Sequence, residues 1–412
     1  MLFFIQLFVW ERKQIALRGD KNRGVLSPFR DQSPEMRNRM FWIMTIVAAI
    51  AMIPIGIYMY HFLKRMAECF GLCADKVYTR IFLVIFSIGL IVGASNIWGV
   101  GAVIILHLFL SALLVQLIHF ILNHLCFRRK KVIDKVYCCG LIPILITMLI
   151  MGYGYWNMGH VRKTEYVVQT EKKIRPEGYR IAMISDLHYG TTMNQEKLAA
   201  YCHEIGQQNP DFIVLCGDIV DENTTYVQLQ EVMQELGSIQ NTYGVFYVYG
   251  NHDLSKYSSH PGYKEEQFVQ VMQEAGIQIL ADNHVQIHGE LTIVGRNDWS
   301  YQWGGVHVRM DAEKLLRDVS KKDFVLLLDH QPRELEQNDK AGYDLQLSGH
   351  THAGQIWPVG IISGLLGFGE LNYGYQQMSH LQVIVSSGMA GWGYPVRTGS
   401  HSEYVMVTVE QK

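Results

Sequence analysis

Long stretches of this 412-residue chain carry no charge. Asp, Glu, Lys and Arg are absent from Phe41 to Leu63, from Ile81 to Phe127 and from Val136 to Val161. About 20 apolar residues cross a bilayer as a helix, and helices in soluble cores rarely stay uncharged for so long. The first and last stretches each predict one span, at about 41–63 and 137–157. The middle one predicts two, at about 81–98 and 102–125, with a turn at Ser95–Gly101. Cysteine is scarce too: 7 residues, mostly in or beside the apolar region, which excludes a disulfide framework. A net charge of −2 gives no reason to expect nucleic acid as a partner. The opening MLFFIQLFVW is too short to span, and it lacks the basic start and small-residue cleavage site of a signal peptide. It reads as an interfacial segment or the remnant of a misplaced start.

These absences divide the chain. Residues 1–40 form a basic N-terminal segment and 41–161 a transmembrane region of four helices. Residues 162–178 form a linker that can pair as an edge strand, and 179–412 a soluble domain large enough to bury its own core. Basic residues favour the cytoplasmic side of a membrane. Lys64, Arg65, Lys76 and Arg80 precede the second span, and Arg128, Arg129, Lys130, Lys131 and Lys135 precede the fourth. The loop between the second and third spans has none. This pattern predicts a multi-pass cell-membrane protein with its soluble domain outside the cytoplasm, although the basic stretch Arg12–Arg39 opposes that orientation.

In the soluble domain, five apolar runs each end in polar residues. RIAMIS leads into Asp186-Leu187-His188, FIVLC into Gly217-Asp218-Ile219-Val220-Asp221, and VFYVY into Gly250-Asn251-His252-Asp253. FVLLL leads into Asp329-His330, and DLQLS into Gly349-His350-Thr351-His352. Helical patterns at Gln195–Gln208, Val227–Ile239 and Glu265–Ala275 separate some of them. Strand–helix alternation with chemistry at the strand ends describes an α/β domain whose site lies along the carboxyl edge of a sheet. No serine or cysteine stands in a nucleophile's context. Carboxylates, imidazoles and one amide suit Mn, Fe or Zn, and there are more ligands than one ion needs. A strand that continued through His350 and His352 would aim both rings the same way.

The ordered series D-x-H, G-D-x-x-D, G-N-H-D, an isolated His and G-H-x-H resembles the calcineurin-like metallophosphoesterases over roughly Tyr179–Val409. The resemblance implies a two-sheet β-sandwich flanked by helices, around two divalent metal ions. It assigns Asp186, His188 and His352 to one ion, Asn251, His330 and His350 to the other, and Asp218 to both. It also makes His252 a proton donor beside the phosphate, with Asp253 expected to orient its ring. Asp221 is followed by Glu222-Asn223 where protein phosphatases carry Arg-Gly, which argues against that branch. GHTHAGQIWP, GRND (Gly295–Asp298) and SSGMAGWGYPVRTG (Ser386–Gly399) resemble the membrane-anchored branch of YkuE-like and YaeI-like phosphodiesterases, near the enzymes that hydrolyse UDP-2,3-diacylglucosamine. Arg296 departs from that pattern.

The expected function is hydrolysis of a phosphodiester or pyrophosphate bond at the lipid bilayer, in a phosphorylated small molecule or a lipid-linked envelope substrate. A phosphomonoesterase is one alternative. A sensor or scaffold controlling the membrane module is another, but such domains lose metal ligands and all seven positions are present here. A transporter is disfavoured because the spans lack charge, and His107 and His119 point in different directions on one helix. No motif encodes the oligomeric state.

Overall fold

The computed structural model describes residues 34–94, 96, 99–125, 130–303, 309–366 and 370–412, and the chain forms two compact units, Met1–Tyr155 and Trp156–Lys412. The opening decapeptide lies outside the described residues. Helices in the first unit occupy Pro34–Cys69, Val77–Gly93, Val100–Leu125 and Lys130–Cys139, and a fifth, Leu141–Met158, runs into the second unit. Each predicted span overlaps a helix, but the second extends past Gly93 and the fourth straddles Lys130–Cys139 and Leu141–Met158. Among the described residues, however, only Val100–Leu125 and Leu141–Met158 are both long and apolar enough to cross a membrane. Val77–Gly93 has 17 residues, about 26 Å at 1.5 Å per residue, which is short of the ~30 Å hydrocarbon core. In Pro34–Cys69, side chains are described only from Met52 onward. Four spans are therefore an expectation, and two helices meet the physical test.

Among the described residues, the second unit holds twelve strands in two six-stranded sheets. The first sheet contains β1 (Val161–Thr170), β2 (Tyr179–Ile184), β3 (Phe212–Cys216), β4 (Val245–Val248), β5 (Ile277–Ile279) and β12 (Ser402–Gln411), in the order β1-β12-β2-β3-β4-β5. The second contains β6 (Asn283–Ile287), β7 (Leu291–Gly295), β8 (Phe324–Leu328), β9 (Leu345–Ser348), β10 (Gly374–Gln377) and β11 (Gln382–Val385), in the order β10-β11-β9-β8-β7-β6. Strands β2 to β5 run parallel, as do β7, β8, β9 and β11, so their carboxyl ends gather along one edge of each sheet.

The strands that supply the motifs are fully buried runs such as Phe212–Cys216 and Phe324–Leu328. Strands covered on both faces read as continuous apolar sequence. Met183, Val214 and Val248 of the first sheet meet Ile293, Leu326 and Leu347 of the second in a shared core. The opposite face of the first sheet packs Leu198, Val232 and Phe268 from the helices Gln195–Gln207, Tyr226–Gly237 and Glu265–Glu274. Local signals start these helices. Asn194 accepts a hydrogen bond from the Lys197 N–H, and Thr225 and Gln228 form a capping box. The result is an α/β two-sheet fold with helices outside and polar residues collected at the strand ends.

Candidate metal centre

Five tight turns leave those strand ends, and the residues they carry take unusual backbone conformations. Asp186, His188, Asp218, His350 and His352 all have positive φ, between 40° and 71°. Side chains pay about 1–3 kcal/mol each for such angles, and the cost persists where surroundings enforce it. Close packing enforces it here. A Cβ on Gly250 would collide with the Asp218 carboxylate, and one on Gly349 with that of Asp186. The chain thus turns back on itself within contact distance of two buried carboxylates.

The turns assemble two triads. Candidate ligand atoms of Asp186, His188 and His352 lie within 4.8 Å of one another, and so do those of Asp218, His330 and His350. Asp218 stands between the groups: its Oδ2 is 3.1 Å from His330 Nε2 and 3.9 Å from His188 Nε2. Strand β9 stops at Ser348. With φ of 71° and 50°, His350 and His352 leave strand geometry, so the two rings join different triads and do not point one way. Asn251 is buried beside them, and its side-chain carbonyl oxygen has no hydrogen-bond partner.

Several other buried atoms are equally unsatisfied: both ring nitrogens of His188 and Nδ1 of His352. Buried polar atoms in native proteins are nearly always paired, so this concentration of orphaned acceptors fits residues that ligate cations. The supporting contacts agree. The His330 Nδ1–H donates to the Cys216 carbonyl at 2.7 Å, which turns Nε2 toward Asp218 Oδ2. The His350 N–H donates to both oxygens of Asp186, at 2.9 and 3.0 Å.

Electrostatics separates the imidazoles. Burial, followed by the charge of His330, lowers the pKa of His350 to about 3. Burial and the nearby His188 push His352 well below the usual histidine range. Both rings are therefore neutral, the form that binds metal. Burial opposes the charged forms of Asp218 and His330, but their mutual attraction prevails, holding the carboxyl low and the imidazole high.

His252 lies beside the first triad, its ring centroid 5.4 Å from that of His188. The expected partner, Asp253, does not touch this ring. Its carboxylate instead accepts the backbone N–H groups of Asp218, Ile219 and Gly250, at 2.9, 2.9 and 2.6 Å, and so ties two turns together. The ring partner is Glu222, whose two oxygens both lie 2.9 Å from His252 Nδ1. Burial alone would lower the His252 pKa. The hydrogen bond to Glu222 and the charge of Asp218 outweigh it and raise the pKa to about 9. The signal for Glu222 was its position directly after G-D-x-x-D, where it had served only to exclude another branch. Trp392 lines the same side, its ring 5.1 Å from that of His252.

Two arginines complete the surroundings. Arg296, the departure within GRND, is buried and pairs with Glu334 at 2.8 Å. It acts in a salt-bridge cluster with Arg309 and Asp329, while Asp298 accepts from Gln331 at 3.1 Å. Arg397 is fully buried and donates to the carbonyls of His352, Ser387, Ala390 and His401. It fixes the turn that carries His352. A buried arginine held by carbonyls leaves no pattern of spacing in the sequence.

The sequence profile of the calcineurin-like phosphoesterases matches residues 179–354. An uncharacterized metallophosphoesterase of Aquifex aeolicus (strain VF5) is 30% identical over 65% of this chain and 99% of its own length. A Danio rerio protein named transmembrane protein with metallophosphoesterase domain is 28% identical over 66% of this chain, and the match spans 62% of that protein. Among solved structures, a dimetal phosphatase from Danio rerio covers 57% of this chain and 94% of its own, with a TM-score of 0.39 and 13% identity. With two triads built from the strand ends of both sheets and a relative matched along nearly its whole length, the chain belongs to the calcineurin-like metallophosphoesterases, a family of metal-dependent phosphoester hydrolases.

Proposed function

We propose that this protein is a membrane-tethered phosphoesterase that uses two divalent ions to cleave a phosphodiester or pyrophosphate bond, in a substrate carried at the membrane surface. A lipid-linked molecule of the UDP-2,3-diacylglucosamine kind belongs to this class. The observation that carries the reading is Asp218, one carboxylate oxygen of which faces both triads. In this reading Asp186, His188 and His352 hold one ion, Asn251, His330 and His350 hold the other, and Asp218 is shared. Bound ions of this kind polarise phosphoryl oxygens and activate water near neutral pH. His252 presents its free ring edge to the leaving oxygen, while Glu222 fixes the other edge. Asp253 locks the Asp218 and Gly250 turns so that both acidic and amide groups stay in register. Tethering is supported by the apolar helices, which leave side chains such as Ile85, Phe120 and Leu149 exposed.

The test uses the full chain reconstituted in lipid nanodiscs. With Mn²⁺ it should hydrolyse bis(p-nitrophenyl) phosphate faster than p-nitrophenyl phosphate and bind close to two metal equivalents by elemental analysis. Asp218→Asn should lose most of both. Full activity in chelator would overturn the dinuclear reading, and a preference for the monoester would move the protein to the phosphomonoesterases.

A further inference from the structure

No Asp, Glu, Lys or Arg occurs between Ala353 and Gly369, although this segment belongs to the unit that otherwise follows the rules of a water-soluble domain. The segment turns at Trp357-Pro358 and forms the helix Val359–Leu366. Its apolar side chains point outward: Trp357 is 44% exposed, Ile361 56% and Leu365 81%. Contiguous exposed apolar surface of this kind marks an interaction site. Eight residues rise only about 12 Å, so the helix cannot cross a bilayer and can only lie at its surface. Apolar helices in that position bury one face at the headgroup boundary, where tryptophan is enriched.

Its place in the fold identifies the occupant. The apolar helix Leu141–Met158 enters the catalytic unit through Asn157 and Met158. The Asn157 amide donates to the carbonyls of Arg397 and Ser400, at 2.9 and 2.6 Å, and Ser402 Oγ donates to the Met158 carbonyl at 3.0 Å. The same loop holds the exposed helix. The Trp357 N–H donates to Thr398 Oγ1 at 3.0 Å, and the N–H groups of Thr398 and Gly399 donate to the Gln355 carbonyl at 2.9 and 3.0 Å. A Cβ on Gly399 would meet the Trp357 nitrogen at 2.9 Å, so the two segments touch backbone to backbone. The point where the chain leaves its membrane helix and the exposed apolar helix are therefore fastened to one loop.

We propose that the helix Val359–Leu366, with Trp357 ahead of it, seats in the bilayer surface beside that exit point; this rests on the membrane-tethered reading above. It presents to the bilayer a cavity of about 350 Å³ lined by Ala353, Trp357, Tyr373 and His401. Ala353 is the neighbour of His352, so a substrate anchored in lipid has a short way to the metal-ligand turn. Lipid, and not a second copy of the chain, occupies this face.

The experiment places the full chain in nanodiscs containing a phosphatidylcholine with a diazirine midway along one acyl chain, followed by irradiation and peptide mass spectrometry. Label is expected on the Val100–Leu125 and Leu141–Met158 peptides and also on Trp357–Leu365. Leu365→Glu should reduce the last signal several-fold and leave hydrolysis of bis(p-nitrophenyl) phosphate unchanged. Label on the long apolar helices with none on Trp357–Leu365 would overturn this inference and leave the tether intact. Label on neither would remove the tether, and this inference with it.

Discussion

As the proposed proton donor beside the two triads, His252 has to be held by something other than the metals, and the grip of Glu222 on its ring meets that need. The departing oxygen of an alkyl or sugar ester is a poor anion and needs a proton, whereas p-nitrophenolate is stable near neutral pH. General acid catalysis contributes about 10²–10⁴-fold. His252→Ala should therefore keep its metals and lose rate unequally, with a small loss for p-nitrophenyl esters and a large one for alkyl or sugar leaving groups. Glu222→Gln should follow the same trend at smaller size, since the ring stays but loses its charged anchor. Comparing both variants across a leaving-group series checks this. A uniform loss would assign His252 to holding phosphate, and loss of metal would place it among the ligands. Asp253 belongs to a different test: its bonds are to backbone, so its replacement should harm folding first.

Elements bring distant residues together through contacts that need no motif, and Glu403 at the start of β12 is an example. It is buried, accepts the Ser387 N–H at 2.8 Å and the Tyr373 hydroxyl at 3.1 Å, and lies 3.1 Å from His401 Nε2. Burial would raise its pKa, but His401, Thr164 and the Ser387 N–H hold it below the ordinary glutamate value of 4.5. A depressed carboxyl contributes stability above its unfolded pKa and loses it as pH falls through its folded one. Wild type should thus melt higher than Glu403→Gln at neutral pH, and the gap should shrink in acid below the ordinary value; a gap constant with pH would refute the assignment. The sequence made the motif strands legible because β2, β3, β4, β8 and β9 are buried runs ending in polar residues. It was silent on Glu403, and also on β10, whose alternating half-exposed pattern resembles a loop. It misdirected the His252 partner, because adjacency in sequence favoured Asp253 while the turn at Gly250 points that carboxylate inward. The two-triad split of His350 and His352 came from the family resemblance; strand alternation by itself suggested the opposite.

At the scale of the whole molecule, the packing of the helical unit bears on the side of the membrane expected for the proposed tethered catalytic unit. The two basic loops converge. Arg65, at the end of the Pro34–Cys69 helix, places its guanidinium 3.9 Å from the Tyr137 ring centroid in the helix Lys130–Cys139 and hydrogen-bonds the Tyr137 hydroxyl. Cys69 Sγ reaches the Lys135 carbonyl at 3.9 Å. Lys64 and Arg80 both pair with Asp75, at 3.5 and 3.1 Å, so the turn before Val77 lies there as well. Lys64, Arg65, Arg80, Lys131 and Lys135 therefore share one end of the unit, and the preference of basic residues for the cytoplasm predicts that this end lies inside. The helix Leu141–Met158 starts from that end and carries the chain away from it. A reporter fused after Lys412 should accordingly behave as extracytoplasmic: an alkaline-phosphatase fusion active, a green fluorescent fusion dark. Replacing Arg128, Arg129, Lys130, Lys131 and Lys135 with Gln should weaken that preference, because it removes the charge that holds the loop inside. A cytoplasmic reporter in the unaltered chain would mean that the basic stretch Arg12–Arg39 sets the orientation. The exposed apolar helix would then face the inner leaflet, and the substrate would be sought among phosphodiesters of the cytoplasmic surface.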